Sequence, residues 1–270
     1  MTLFTNIKSF DKSFLLKLWL SLILYQLSVC PVSAQKDTMD IKDYILIINT
    51  YTESFPWSNR LISTATNFVK DDPKLAVYTE HMNMIMIDND SILDQFKDSL
   101  FDRYGSHCPR MLLLLGNSSL ILKDDLRKMW GDIPMVLCAG KDYTGPEHYY
   151  LTKQPIPLSE RVPLAELSQS CNLTYLYANL YIHENVEMMF RTLPRMKRFI
   201  YVGDERFVNQ VNSQEIQEIL RTKHPDVHYT FLSSRDIKKT NRSIHSTLSI
   251  PGPRVFCFPA GSTNGSLPAT

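Results

Sequence analysis

The stretch YILIINTYTESFPWSNRLI, Tyr44–Ile62, contains a strand, a loop and the start of a helix, in that order. It opens with a run of apolar residues that is typical of a buried β-strand. The loop that follows carries three aromatic residues close together, Tyr51, Phe55 and Trp57. These rings either close a hydrophobic core or stand at the mouth of a cleft.

Units of the same kind follow along the chain. Short apolar segments alternate with amphipathic helical segments, which is the pattern of a parallel sheet covered on both faces. The sequence therefore predicts an α/β fold with two doubly wound parallel-sheet lobes, the second of them incomplete. The predicted strands are 45–49, 75–81, 111–115, 134–139, 199–203, 227–232 and 255–258, and the predicted helices are 58–70, 91–104, 119–130, 185–193, 213–223 and 236–248.

Two of these helices allow predictions about single residues. In the helix at 58–70, helical spacing predicts that Leu61, Ile62, Ala65 and Phe68 face the core. In the helix at 91–104, Ser91 is the predicted N-cap.

The domain boundaries follow from this alternation of segments. Three prolines in 149–168 predict a long irregular segment that crosses from one lobe to the other. The last residues are rich in turn formers and have no core pattern, so we expect either a truncated chain or last residues that are not native to the fold. The predicted organisation is a signal peptide or N-terminal anchor at 1–34, the first lobe with its crossing segment at 35–170, a partial second lobe at 171–258 and an irregular tail at 259–270.

The first residues resemble an export signal. Three lysines precede or enter the apolar run Leu18–Val29, and the small residues Ser33 and Ala34 come just before Gln35. The run is shorter than the roughly 20 residues of a spanning helix. A cleaved signal is therefore favoured over an uncleaved anchor, and the predicted location is the periplasm.

Composition and motifs argue against several functions. The net charge of +1 gives no electrostatic reason to expect a nucleic-acid partner. There is no phosphate-binding glycine loop, nucleophile elbow or zinc-binding histidine pair, so no catalytic residue, metal ligand or cofactor is predicted. Of the cysteines after the signal, Cys108, Cys138, Cys171 and Cys257, most are predicted to be buried free thiols, and the disulfide state of Cys138 and Cys171 is left open.

Polar and aromatic residues follow the predicted strands. In open α/β sheets the ligand crevice lies beyond the carboxyl ends of the strands. Each such residue singly is more simply interpreted as a helix cap or a turn former, whereas the aromatic loop points more strongly to contact with a ligand or with a partner at an interface. The candidate ligand-binding residues are Tyr51, Phe55, Trp57, Asn117, Ser118, Lys141, Asp204 and Arg206.

Several segments resemble a known family. They are ILIINTYTESFPW, MLLLLGNSS, IPMVLCAG and NVEMMFRTLPRMKRFIYVGD, the last with Leu193-Pro194, Lys197-Arg198 and Val202-Gly203-Asp204. The chain resembles the periplasmic-binding-protein-like domain of ABC-transporter substrate-binding proteins, and more closely the extracytoplasmic sensor region of bacterial hybrid two-component histidine kinases. The resemblance implies a type I periplasmic-binding-protein fold, with two lobes hinged around a cleft.

The resemblance also implies a function. We expect a non-enzymatic domain that senses a small polar or sugar-like ligand, forms a homodimer and belongs to a histidine kinase of the inner membrane. A free substrate-binding protein of an ABC transporter is the alternative, and an α/β hydrolase or transferase is a third possibility.

Overall fold

A computed structural model of the chain describes residues 43–233, 242–243, 246 and 255–259. The predicted signal segment, most of the predicted helix at 236–248 and the tail after 259 lie outside these residues. Over the described ranges, no helix is both long enough and apolar enough to cross a membrane.

The first lobe is built on a five-stranded sheet in which every pairing is parallel. The strand order is β2-β1-β3-β4-β7. Four of the five strands were predicted from the sequence, with bounds within one residue. The strands are β1 (Tyr44–Asn49), β2 (Ala76–His81), β3 (Met111–Leu115), β4 (Met135–Ala139) and β7 (Leu173–Tyr177).

Both faces of this sheet are covered. Leu46, Ile47 and Ile48 are consecutive in β1, so their side chains point alternately to opposite faces. All three are fully buried. This explains why β1 is a continuous apolar run and not an alternating one.

Helices connect these strands, and two predicted details of them are wrong. Phe68 is 89% exposed and does not face the core, whereas Leu61, Ile62 and Ala65 do pack against the core. Asn89, not Ser91, caps the next helix, because its side-chain oxygen accepts a hydrogen bond from the Ile92 amide at 3.1 Å. The helices are α1 (Pro56–Val69), α2 (Asp90–Tyr104), a 3₁₀ helix (Asn117–Leu122) and α3 (Lys123–Trp130).

The predicted crossing segment does not cross to the second lobe. It leaves β4, forms a small antiparallel ribbon with two short helices, and returns to the first sheet as β7, which pairs with β4. The first lobe therefore extends to about residue 177, and the predicted boundary at 170 is wrong. These elements are β5 (Tyr143–Thr144), α4 (Glu147–Thr152), a 3₁₀ turn (Leu158–Glu160), β6 (Val162–Pro163) and α5 (Leu164–Ser170).

The second lobe has its own parallel sheet and its own core. Within the described residues this sheet contains three strands, in the order β10-β8-β9. Its core includes Val186 and Phe190 from one helix, Phe199 and Tyr201 from the central strand, and Ile216 from the next helix. The elements are α6 (Ile182–Thr192), β8 (Arg198–Gly203), α7 (Phe207–Lys223), β9 (His228–Ser233) and β10 (Val255–Pro259).

The two sheets are wound in the same way. In each, the first strand in sequence lies between the second and the third, with the described strands of the second sheet following the same order. Two parallel α/β lobes with this repeated order form a type I periplasmic-binding-protein-like fold, as the resemblance implied. The carboxyl ends of β1, β3 and β4 are aligned by the register Asn49–Leu115 and Leu115–Cys138, so their following loops lie side by side.

Candidate ligand site between the lobes

The aromatic loop after β1 forms one wall of the space between the lobes. Tyr51 and Phe55 stack with ring centres 4.4 Å apart and planes at 16°. Trp57 meets Tyr51 edge-on at 5.5 Å. Trp57 itself packs in the cluster of Ile47 and Leu115, so it supports Tyr51 from the core side.

Gly116 allows this wall to form. Its φ of +95° is in the left-handed region that favours glycine. A Cβ there would lie 2.3 Å from Thr50 Oγ1 and 3.2 Å from the Tyr51 ring. Thr50 Oγ1 also donates to the Leu115 carbonyl at 2.8 Å, so the loops after β1 and β3 are joined directly.

Arg206, from the second lobe, lies on this aromatic pair. Its guanidinium carbon is 4.3 Å from the Phe55 ring centre and 5.4 Å from that of Tyr51. Asp204 orients the guanidinium by accepting from Arg206 Nε at 2.7 Å and from the Arg206 amide at 3.0 Å. Asn209 Nδ2 donates to the same carboxylate at 2.7 Å, so the loop after β8 is rigidly held.

The charges and burial of this contact shift two pKa values. Burial alone would raise the pKa of Asp204, but the hydrogen bonds and positive charge of Arg206 lower it more, and the net shift is downward. Burial raises the pKa of the Tyr51 phenol, and the charge of Arg206 opposes that rise. Asp204 is therefore ionised and Tyr51 neutral at ordinary pH, which suits a contact between a cation and an aromatic ring.

A second contact between the lobes is an ion pair. Lys141 follows β4 and is only 9% exposed, and its Nζ donates to Glu215 Oε2 on α7 at 2.9 Å. The Glu215 side chain is 41% exposed. The pair therefore joins a buried cation of the first lobe to a carboxylate at the surface of the second.

Asn117 supports the loop that carries Lys141. Its Nδ2 donates to the carbonyls of Lys141 and Tyr143 at 2.8 and 2.9 Å. Its Oδ1 accepts from the amides of Gly140 and Lys141 at 2.9 and 3.1 Å. All four hydrogen bonds of this amide go to the backbone, so Asn117 positions the loop and has no capacity left for a ligand.

Several residues at the cleft were not predicted from the sequence, among them Tyr150, Lys153 and Phe207. Tyr150 and Phe207 pack with ring centres 4.5 Å apart. The Tyr150 hydroxyl is hydrogen-bonded to Thr144 Oγ1 at 3.0 Å. Lys153, whose φ is +60°, donates through Nζ to the carbonyls of Ile87 and Tyr150.

These contacts leave several cavities between the lobes. The central cavity has a volume of about 40 Å³ and is lined by Tyr51, Ser118, Lys141, Lys153, Arg206 and Phe207, among others. A neighbouring cavity of about 130 Å³ includes Phe55 and Asp204 in its lining. The largest, here named the lateral groove, has about 550 Å³ and is lined by Lys141, Tyr143, Arg161, Tyr177, Glu215 and Glu218, among others.

The predicted site residues therefore divide into three groups. Tyr51, Ser118, Lys141 and Arg206 line the central cavity, and Phe55 and Asp204 line the cavity beside it. Asn117 also lines the central cavity, but its side-chain amide is fully hydrogen-bonded to the backbone. Trp57 lines none of these cavities. Among the residues that the structure describes, no cluster of three or more histidine, cysteine or acidic side chains could hold a metal ion.

Three cysteines, Cys108, Cys138 and Cys171, are free thiols. Cys138 and Cys171 are buried, as predicted, whereas Cys108 is exposed. Cys257 belongs to β10, and its side chain lies outside what the structure describes.

Comparisons with known proteins give a distant likeness in fold. No family model matches the chain, and no curated protein does. A crystal structure of a protein described as a LacI transcriptional regulator from Bacteroides fragilis is similar, with a TM-score of 0.48 and 8% identity. The likeness covers 78% of this chain and 67% of that one.

Proposed function

We propose that this chain is the extracytoplasmic ligand-sensing domain of a two-component histidine kinase and that it binds a small ligand between its lobes. The observation that carries the proposal is the central cavity, whose walls come from the strand ends of both lobes. A ligand there touches both lobes at once, so its binding is linked to how closely they approach.

The construction of the two lobes supports a hinge motion. Each lobe has a separate hydrophobic core, and individual side chains such as Arg206, Lys141 and Phe207 join them across the cleft. Such contacts are easily broken and remade, whereas a shared core is not. A ligand favours the closed arrangement only as far as it binds that arrangement more tightly than the open one.

The motif shared with kinase sensor regions has a structural basis in this chain. Leu193 ends α6, and its carbonyl accepts from the Met196 amide at 3.0 Å. Arg198 begins β8 and Gly203 ends it, so Asp204 comes directly at the cleft. The motif thus covers the entry to the second lobe and one of its ligand-facing loops, which supports the family resemblance.

Export to the periplasm is part of the proposal. It rests on the apolar run Leu18–Val29 and the small residues before Gln35. Expression of the full chain in a Gram-negative host, followed by cell fractionation and N-terminal sequencing, tests it. We expect a periplasmic product that begins at Gln35, and a cytoplasmic product that begins at Met1 would contradict it.

Ligand binding is tested by a thermal-shift screen of the full chain. The compounds are neutral monosaccharides, amino acids and small carboxylic acids. We expect at least one to raise the melting temperature and to reduce the radius of gyration in small-angle scattering. Arg206→Ala should abolish the effect, and Arg60→Ala, at an exposed position on α1, should leave it unchanged. A compound that binds the Arg206 variant as well as the native chain would place the site elsewhere.

The kinase connection is tested at the level of the gene. The sensor assignment predicts that the reading frame continues into a membrane-spanning segment and a histidine kinase core. A stop codon beside a permease gene would instead support the transporter alternative.

A further inference from the structure

The charge of the central cavity is one-sided. Lys141, Lys153 and Arg206 line it, and no carboxylate is among the described residues that do so. The acids that partner two of these cations, Glu215 and Asp204, lie outside the lining of the central cavity. A group bound in this cavity therefore lies nearer to these positive charges than to the carboxylates that partner them.

Two of these cations keep hydrogen-bond donors to spare. Arg206 uses Nε and Nη2 on Asp204, and within the described chain its Nη1 has no partner. Within the same described residues, the Lys141 ammonium gives one hydrogen bond, to Glu215, although it carries three N–H donors. Both side chains can thus bind an anion without giving up their present partners.

The start of α7 adds to the same polarity. Its first residues, Phe207 and Val208, line the central cavity. The helix has no side-chain cap at its N-terminus and no acidic residue in its first turn. The free N–H groups of such a helix end carry partial positive charge, which favours an anion in addition to the three cations.

The position of Arg206 argues against a cationic ligand. A positively charged ligand would be expected to bind on the faces of Tyr51 and Phe55, but Arg206 already lies on that aromatic pair. It would also approach Lys141, and among the described residues no carboxylate lines the cavity to offset that charge.

The volume limits how much of a ligand can enter. At about 40 Å³, the central cavity has room for a group the size of a few water molecules, since one water needs about 10–15 Å³. Lys141 lines both this cavity and the lateral groove of about 550 Å³. A charged head group can thus sit in the central cavity while the remainder of the molecule extends into the groove.

We infer that the central cavity binds the anionic head group of the ligand, a carboxylate or a phosphate, with Lys141, Lys153 and Arg206 as its counter-charges. The inference rests on the proposed function, because it names the class of ligand that the cleft between the lobes would take.

The test compares acids with their uncharged amides at constant ionic strength. The pairs are succinate with succinamide and benzoate with benzamide, and inorganic phosphate and sulfate form a separate arm. Binding is followed by thermal shift and by titration calorimetry on the full chain. We expect at least one anion to bind and its neutral counterpart to bind at least tenfold more weakly. Binding in the phosphate arm alone would identify a phosphate group, and binding of the organic acids alone would identify a carboxylate.

Variants then locate the binding. Lys141→Met and Lys153→Met should each weaken anion binding at least tenfold, and because they are separate, one remains informative if the other fails to fold. Lys128→Met, at an exposed position on α3, is the matched control and should bind as the native chain does. Equal weakening by the control would show non-specific attraction and would overturn the inference.

Failure of the inference can be separated from failure of the proposed function. If amides bind as well as acids and Arg206→Ala abolishes both, the anion inference is wrong and the cleft is still the ligand site. If no anion binds, the inference is also wrong, and neutral compounds in the thermal-shift screen decide the proposed function independently.

Discussion

The guanidinium carbon of Arg206 lies 4.3 Å from the centre of the Phe55 ring, although the two residues belong to different lobes. Asp204 orients the guanidinium through a hydrogen bond from Arg206 Nε, and Tyr51 stacks on the Phe55 ring. A cation of one lobe thus lies on an aromatic pair of the other, so an intact contact indicates that the two lobes are close together.

Removing the ring should loosen this contact. We expect Phe55→Ala to lower the free energy of unfolding by about 1–2 kcal/mol, the scale of a partly desolvated cation–π contact. Small-angle scattering should also show a larger radius of gyration. Phe68→Ala is the matched control, because that ring is 89% exposed. Equal effects of the two substitutions in urea unfolding would show that the Arg206 contact contributes nothing.

The pair of Lys141 and Glu215 should be measurable by a double-mutant cycle. Using Lys141→Met and Glu215→Gln, we expect a coupling energy of about 1 kcal/mol or more, because one partner is buried and the other only partly exposed. The pair of Glu218 and Arg221 on the same helix is the control, and its coupling should be smaller because both side chains are well exposed to solvent. Similar coupling energies for the two pairs would contradict the bridging role.

Asp204 should make stability depend on pH in the acid range. Its pKa is lower in the folded chain than in the unfolded one, so the folded state favours the ionised form. This stabilisation is complete above the unfolded pKa of about 3.9 and is lost as the pH falls through the lower folded pKa. Between about pH 5 and pH 2, the native chain should lose more stability than Asp204→Asn does. Urea unfolding of both at several pH values tests this, and parallel curves would refute it.

Asn117 should matter for stability far more than its neighbour. Asn117→Ala removes four hydrogen bonds and leaves backbone groups of the loop after β4 unpaired, so we expect a loss of about 3 kcal/mol. Ser118→Ala should cost less than about 0.5 kcal/mol, because within the described residues its hydroxyl makes no side-chain hydrogen bond. Comparable losses in denaturant midpoint would mean that the amide network is not structural.

The parallel strands could be predicted because a strand that is buried on both faces consists almost entirely of apolar residues. β1 and β3 are covered on both faces, so each is a short and almost wholly apolar run. β7 was missed because it is an edge strand with exposed residues, including Leu176 at 61%. Its mixture of apolar and polar residues is typical of a loop, and the prolines around 155–163 also favour a loop.

The candidate site was partly predictable for a related reason. Residues directly after a buried strand, such as Tyr51, Lys141 and Arg206, are placed by the fold itself. Tyr150 lies in α4 and Lys153 directly follows that helix, inside the excursion between β4 and β7, and no local pattern in the sequence marks them as facing the cleft. The role of Asn117 depends on the path of a loop more than twenty residues away, which the sequence around Asn117 does not reveal.

Because Gly116 has no side chain, the aromatic wall can stand directly against the loop after β3, and this affects how the cleft responds to a ligand. The Thr50 amide is bonded to the Leu115 carbonyl and the Gly116 amide to that of Cys138, so the aromatic wall stands on backbone that belongs to the core sheet. The amide protons of the aromatic wall should therefore exchange with solvent as slowly as those of the sheet. The conformational entropy of this wall is thus lost when the chain folds, and binding needs to order mainly the groups that face it from the second lobe.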